Sequence, residues 1–308
     1  MRCDAGVTRS CLSALIAAAA AVACAAAPAR AGALEPGRAG LYGGGAVRDY
    51  LHFVSLRVMP DGHFRAHATL VTKCAPRFGD SLTESVSLPD ARLSGSGAYS
   101  ATTSFSDELE PGVPAVGGLR AEGTITFSVS VLPGGLARGL VRVRTTYTDP
   151  ATGAELSRCD TGAIGWAARR PGPAAGAGRA APRTGTQRGT TEQDEPFLMR
   201  VTRRGGLVRR AGMTVRIGCP SGIGLALDVV AHRVRVRHGR FGATDDFERL
   251  FTYPDGTEVV ERYSWKLRGR FGRRGARGSF EMHGVVRRRS NGEQVGSCDT
   301  GTVGWRSR

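Results

Sequence analysis

One octet occurs twice in this chain: Cys-Asp-Thr-Gly-Ala-Ile-Gly-Trp at residues 159–166 and Cys-Asp-Thr-Gly-Thr-Val-Gly-Trp at residues 298–305. Six of its eight positions are identical, and the two copies are 139 residues apart. The same offset extends back without a gap to Ala-Arg-Gly at 137–139, which matches 276–278. A motif that closes two equally spaced segments is typical of a duplicated domain. The octet therefore predicts two copies of one fold.

Short strand patterns separated by Gly and Pro turns fill both copies. Residues 50–58 and 63–74 flank a Pro-Asp-Gly turn and predict a hairpin. No stretch keeps a helical period for ten residues. This pattern indicates an all-β protein, and it predicts two tandem antiparallel β-sandwich domains of the jelly-roll or immunoglobulin-like kind. The sequence leaves a small barrel open as the alternative for each domain.

Composition divides the chain into four segments. Residues 1–31 are predicted to be a secretory signal peptide, because an apolar stretch follows a basic start and ends at an Ala-Arg-Ala site. Repeat 1 spans residues 40–168, and repeat 2 spans residues 196–308. Residues 169–195 are rich in Pro, Gly, Ala, Thr and Arg and have almost no large apolar group. Such a segment cannot bury enough surface to fold, which predicts a flexible, disordered linker.

The leader and the cysteines together predict a secreted, extracellular protein. The apolar stretch of the leader is short for a membrane span, and a lipid anchor through Cys24 is the alternative. Four cysteines follow the leader, and export permits disulfides. Their equivalent places in the two repeats predict the pairs Cys74–Cys159 and Cys219–Cys298, with separations of 85 and 79 residues. Loop entropy would make each bond worth about 4 kcal/mol.

The Asp-Thr-Gly tripeptide inside the octet predicts a turn or a β-bulge. An Asp side chain accepts a hydrogen bond from a nearby backbone N–H, and Gly adopts the positive φ that such a turn requires. A bulge at Gly162 would shift the register so that Cys159 and Trp166 both face the core. We therefore expect Trp166 and Trp305 at the centre of their domains.

The two Asp-Thr-Gly tripeptides also resemble those of pepsin-like aspartic proteases, which place one such Asp from each lobe face to face. The resemblance covers three residues per copy. In those proteases apolar residues precede the Asp, whereas Arg-Cys and Ser-Cys precede it here, and only nine residues follow Asp299. Asp160 and Asp299 are therefore interpreted as turn formers and not as a catalytic pair.

The chain has no other sequence motif that indicates a catalytic or cofactor-binding site. The chain has no Gly-x-Ser-x-Gly, His-Glu-x-x-His or P-loop pattern, so no catalytic residue, metal site or cofactor is predicted. An Ala-x-Gly strand followed by Cys-Asp-Thr-Gly-x-x-Gly-Trp looks like the closing segment of uncharacterised exported tandem β-domain proteins of GC-rich Gram-positive bacteria. That resemblance covers both repeats and implies an extracellular location and no activity.

The two repeats differ in charge. Residues 40–168 carry 11 Lys and Arg against 12 acids, a net charge of −1, and residues 196–308 carry 23 against 10, a net charge of +13. Strict alternation at 233–237 and 265–271 predicts two rows of basic side chains on the solvent face of their strands. Three consecutive arginines end a third strand. The predicted polyanion-binding residues are Arg233, Arg235, Arg237, Lys266, Arg268, Arg270, Arg287, Arg288 and Arg289.

The sequence therefore predicts a secreted, non-enzymatic protein whose basic second repeat binds anionic cell-envelope or extracellular polymers. Nucleic acid would be bound without sequence preference. A solvated face of an arginine-rich protein is the plainer interpretation of the same charges. An extracellular hydrolase is the alternative function: carboxylates lining a cleft would favour it, and a flat cationic face would favour binding. The oligomeric state is left open.

Overall fold

All regular secondary structure in the described residues is β-strand. The predicted signal peptide, Cys24 and Cys219 lie outside these residues. The computed structural model describes residues 37–48, 51–75, 82–109, 119–150, 152–171, 184–218, 224–252 and 258–308.

Within the described residues, eighteen strands form two sheets of nine. The first sheet contains β1 (Gly40–Val47), β2 (Leu51–Val58), β3 (His63–Ala75), β4 (Leu82–Arg92), β5 (Ala98–Leu109), β6 (Leu119–Leu132), β7 (Leu136–Thr148), β8 (Glu155–Asp160) and β9 (Ile164–Arg169). The second contains β10 (Gly185–Thr191), β11 (Pro196–Val201), β12 (Leu207–Gly218), β13 (Gly224–Arg235), β14 (Arg240–Thr252), β15 (Glu258–Gly272), β16 (Gly275–Arg288), β17 (Gln294–Asp299) and β18 (Val303–Ser307).

Both sheets have the same order of neighbouring strands. The first runs β4-β3-β2-β1-β9-β7-β6-β5, and β8 pairs with both β3 and β7. The strands β3, β2, β1, β9, β7 and β8 therefore close into a six-stranded barrel. The second sheet runs β13-β12-β11-β10-β18-β16-β15-β14, with β17 paired to β12 and β16. It closes in the same way.

The all-β prediction is confirmed, and the closed barrel that the sequence left open takes the place of the predicted sandwich in each half. A sandwich and a barrel use the same short, alternating strands. They differ only in which strands pair at the ends of the sheet, and alternation carries no information about that choice.

Each barrel has its own apolar core, and the octet tryptophan lies inside it. Trp166 and Trp305 are both 3% exposed. Trp166 stacks on Phe127 with ring centroids 5.3 Å apart, and Trp305 stacks on Phe197 at 4.1 Å. The expectation that these tryptophans fill the two cores agrees with their positions.

Strand β10 lies inside the segment 169–195 that was predicted to be a disordered linker. It pairs with β11 and β18 and is part of the second barrel. The buried residues of β10 include Gln187, Thr190 and Thr191, so the strand lacks the apolar alternation from which a strand is recognised. The linker prediction is therefore wrong for residues 185–191. Residues 172–183 lie outside the described part of the chain.

The two barrels contact each other through β1 and β2 of the first and β10 and β11 of the second. Leu51, Phe53 and Leu198 form a small buried apolar cluster at this contact. Gly43 packs against Gly189 so closely that a methyl group added at Gly43 would overlap the Gly189 carbonyl oxygen. The first barrel therefore covers part of β10.

Candidate functional site

The octet forms the predicted bulge at the point where the barrel closes. Asp160 on β8 pairs with Arg144 of β7, and Ile164 on β9 pairs with Val141 of the same strand. Between these two pairs there are three residue steps along β7 but four along the octet. The octet therefore contains one residue more than the strand opposite it. Gly162 has a φ of 63°. The extra residue allows Cys159 and Ile164 both to be buried.

The predicted disulfide between Cys74 and Cys159 is present. These two cysteines face each other where β8 pairs with β3, a contact of only three residue pairs. The bond therefore lies at the closing seam of the first barrel. Cys298 is also disulfide-bonded, and its predicted partner Cys219 lies outside the described residues. Gly218 pairs with Asp299, a register that agrees with a Cys219–Cys298 bond.

Asp160 is held in place by its own turn and by two arginines. Its Oδ1 accepts a hydrogen bond from the Gly162 N–H at 2.7 Å and one from Arg142 Nε at 3.0 Å. Its Oδ2 accepts hydrogen bonds from Arg142 Nη2 at 2.6 Å and Arg144 Nε at 3.3 Å. The Arg142 hydrogen bonds, assisted by the Gly162 N–H and Arg144, lower the pKa of Asp160 to about 2. The carboxylate is therefore structural and stays charged.

We expect the stability contributed by Asp160 to depend on pH. Because the pKa is lower in the folded state, the contribution is complete above the unfolded-state pKa of about 3.9 and is lost as the pH falls to about 2. The side chain is 40% exposed, so solvent screening keeps the effect small. Denaturant unfolding of wild type and Asp160→Asn at pH 6 and pH 2.5 measures it. The variant should lose less stability between the two pH values, and an equal loss would contradict this assignment.

Asp299 makes the equivalent turn in the second barrel. Its Oδ1 accepts a hydrogen bond from the Gly301 N–H, and Gly301 has a φ of 59°. Its Oδ2 lies 3.3 Å from His283 Nδ1. Asp160 and Asp299 thus lie in different barrels, each engaged by neighbours of its own barrel. Their separate positions agree with the interpretation of Asp160 and Asp299 as turn formers and give no indication that the two carboxyls share a proton.

The predicted basic rows lie on β13 and β15. Arg235, Arg268 and Arg270 are exposed and follow the alternation, and exposed Arg237 is in the turn after β13. Arg233 is exposed but has a φ of 54°, so its left-handed backbone interrupts the predicted row, which is a correction to strict alternation. Lys266 is half-buried and faces Glu281 across the sheet. It therefore belongs to a row of mixed charge.

Strand pairing brings four arginines into direct opposition on the outer face of the second sheet, on β14, β15 and the barrel strands β16 and β18. Arg240 pairs with Arg270, Arg270 with Arg277, and Arg277 with Arg306. Directly opposite residues point to the same side of a sheet, and the flanking residues Phe241, Phe271 and Ala276 are buried in the core. We call Arg240, Arg270, Arg277 and Arg306 the arginine ladder.

No member of the arginine ladder forms a salt bridge with a described carboxylate. By contrast, Arg262 on β15, Arg288 on β16 and Arg289 in the turn after β16 each form one. Like charges directly opposite each other destabilise a sheet. The equivalent positions of the first barrel are Ala98, Ser130, Arg138 and Ala167, which pair in the same way. One arginine there corresponds to four here.

The fold places the three predicted arginines at 287–289 far from the arginine ladder. Arg287 and Arg288 end β16, ten or more residues from Arg277, which is roughly 33 Å along a strand. Arg289 Nη1 lies 2.8 Å from Glu258 Oε2, and Arg288 pairs with Glu293 at 3.7 Å. These three arginines therefore do not extend the ladder. The sequence-based site missed Arg240, Arg277 and Arg306, although the hairpin at residues 272–275 could have predicted that Arg270 opposes Arg277.

Carboxylates line a concavity on the same barrel. The concavity has a volume of about 650 Å³, and its lining includes Asp245, Asp246, Glu281 and Asp299 together with Lys266 and His283. Carboxylates that line a cleft are the feature that would favour a hydrolase. Ser264 lies directly opposite His283, but no hydrogen bond joins these two described side chains. This described pair therefore lacks the contact between nucleophile and base that acyl transfer requires.

One buried and one half-buried carboxyl group, Glu84 and Asp228, lie elsewhere and were not predicted. Glu84 accepts hydrogen bonds from Thr145 Oγ1 at 3.0 Å and Tyr147 OH at 2.9 Å. Asp228 accepts one from Thr214 Oγ1 at 2.6 Å, and burial raises the pKa of Asp228 to about 6. Both carboxyls are satisfied by barrel side chains. No group of three or more His, Cys, Asp or Glu within the described ranges is placed to hold a metal ion.

In the described part of the chain, no helix has the length and apolar character needed to cross a membrane. No protein-family model, curated protein or solved structure matches the sequence or the fold. The candidate site is therefore defined by the geometry of this chain alone.

Proposed function

We propose that the second barrel binds polyanions through the arginine ladder. The observation that carries this proposal is the direct opposition of Arg240, Arg270, Arg277 and Arg306 across four neighbouring strands. The ladder has no described carboxylate to balance its charge. An anion bound along it would remove the mutual repulsion of the four side chains, so binding is favoured by the same charges that oppose folding.

The first barrel supports the proposal as an internal comparison. It has the same strand order, yet its equivalent row contains one arginine, and residues 40–168 have a net charge of −1 against +13 for residues 196–308. Both halves are encoded by one gene, so a general bias toward arginine would affect them equally. The excess charge is therefore a property of the second barrel.

The expected ligands are anionic cell-envelope or extracellular polymers. Arginine binds carboxylate and phosphate groups with two parallel hydrogen bonds, which suits a repeated anionic group. No aromatic side chain is part of the ladder, so stacking of nucleic-acid bases is not supported and nucleic acid would be bound without sequence preference. The function proposed is that of a non-enzymatic binding protein.

We also propose that the protein is exported, as its leader predicts. Disulfides such as Cys74–Cys159 persist in oxidising compartments outside the cytosol. A secreted protein and one anchored through Cys24 would both meet envelope polymers.

The test compares two full-length variants that lose the same number of charges. The ladder variant is Arg240→Gln/Arg270→Gln/Arg306→Gln, and the control is Arg287→Gln/Arg288→Gln/Arg289→Gln. We expect the ladder variant to bind an anionic polymer at least about tenfold more weakly than wild type at low salt, because it loses three charge-assisted contacts. The control should lose much less.

Thermal unfolding of both variants checks that the fold is retained. Equal losses of affinity in the two variants would show that net charge, and not the ladder, determines binding. Failure of wild type to bind any anionic polymer at low salt would refute the proposed function.

A further inference from the structure

We propose that the ligand is a single linear chain of phosphate groups that lies along the arginine ladder, across the strands, and that the site rejects a flat anionic membrane. This inference rests on the proposed function and adds the shape and class of the ligand. It is argued from the charges on the rest of the same sheet face.

The ladder crosses the sheet at right angles to the strands. Its four members lie on β14, β15, β16 and β18, which are neighbours in that order. Neighbouring strands are about 4.8 Å apart, so the ladder spans roughly 14 Å from its first strand to its last. A narrow chain with closely spaced charges can contact all four guanidinium groups at once. Phosphate suits each of them because its oxygens match the planar fork of arginine.

The same sheet face carries carboxylates away from the ladder. Four residues along β15 from Arg270, roughly 13 Å away, Lys266 pairs with Glu281. Two residues further, roughly 20 Å from the ladder, Asp246 lies opposite Ser264. Glu281 and Asp246 are both exposed and belong to the carboxylate-lined concavity. An anionic surface broad enough to cover this face would meet these carboxylates as well as the ladder. A narrow chain along the ladder would not.

The two ends of the ladder differ. On β10, Thr190 is the next residue in line after Arg306. Thr190 is 3% exposed, and its Cγ2 atom lies beside Gly43 of the first barrel. The first barrel therefore closes the ladder at this end and limits how a broad surface can approach.

At the other end the positive charge continues. The backbone of Arg240 forms an isolated antiparallel β-bridge with Arg237, which lies in the turn before β14. Arg235, Arg237 and Arg240 line a second concavity of about 470 Å³. A linear chain longer than the ladder can therefore continue from Arg240 toward Arg237 and Arg235, so this is the end at which it leaves the site.

The test uses full-length protein with two probes, inorganic polyphosphate and vesicles that contain an anionic phospholipid. Wild type is expected to bind polyphosphate at least about tenfold more tightly per accessible phosphate than it binds the vesicles, because like charges facing each other oppose the broad contact. Asp246→Asn/Glu281→Gln removes two carboxylates without touching the ladder. This variant should bind vesicles several-fold more tightly than wild type, whereas its affinity for polyphosphate should stay within about twofold.

The ladder variant should lose binding to polyphosphate. Equal affinity of wild type for polyphosphate and vesicles would overturn the inference and leave polyanion binding intact. An equal gain for both probes in Asp246→Asn/Glu281→Gln would also overturn it, since the carboxylates would then act only through net charge. Binding of neither probe by wild type would overturn the proposed function itself.

Discussion

Replacing Cys74 and Cys159 together by Ser is expected to lower the free energy of unfolding by about 4 kcal/mol. The bond joins residues 85 positions apart, and releasing such a long loop increases the entropy of the unfolded chain. The fold adds a local reason. The bond lies in the middle of the three residue pairs that join β3 to β8, so its loss weakens the contact that closes the first barrel.

Denaturant unfolding of the oxidised wild type and the double variant measures the difference. Hydrogen exchange locates it: backbone amides of β8 should exchange faster in the variant, while those of β11 in the second barrel should not change. A difference in unfolding free energy below about 1 kcal/mol would contradict the assigned role of the bond.

Replacing Gly139 by Ala is expected to cost about 3 kcal/mol of folding stability. Gly139 on β7 pairs directly with Trp166. A methyl group at this position would overlap the Ser128 carbonyl oxygen and would lie 3.1 Å from Trp166 Cζ2. Backbone on one side and a buried indole ring on the other leave no room to relax. The same overlap occurs at Gly278, which pairs with Trp305.

Gly165→Ala provides the matched control. Gly165 lies in the octet, directly before Trp166, but the nearest atom to a methyl group added there is Leu140 Cδ2 at 3.9 Å. Its unfolding free energy should change by less than about 1 kcal/mol, because an alanine in open space mainly reduces the entropy of the unfolded chain. Equal effects of Gly139→Ala and Gly165→Ala would show that the close packing against Trp166 is not what requires glycine.

The octet shows how far local chemistry predicts this fold. The Asp-Thr-Gly turn, the bulge at Gly162, the buried tryptophans and the Cys74–Cys159 bond all follow from residues close in sequence or from the comparison of the two copies. The Ala-Arg-Gly match at 137–139 and 276–278 has its reason in the structure. The glycine makes room for the tryptophan that lies opposite it.

Pairing between distant strands could not be predicted in the same way. Alternation indicates which face a side chain occupies, but it does not identify the strand beside it. Barrel closure by β8 and β17 was therefore left open. The ladder was predicted only in part, because Arg306 becomes a neighbour of Arg277 through the pairing of β16 with β18. Strand β10 was missed because its polar buried residues are held by strand pairing and not by an apolar pattern.

The most direct test of the arginine ladder is the dependence of polyphosphate affinity on salt. Four phosphate contacts predict that the logarithm of the binding constant falls with the logarithm of the salt concentration with a slope of about −3 to −4. The ladder variant Arg240→Gln/Arg270→Gln/Arg306→Gln should reduce the size of this slope by roughly 2 to 3, and the control at 287–289 should leave it nearly unchanged. Equal slopes for the ladder variant and wild type would contradict the assignment of the site to the ladder.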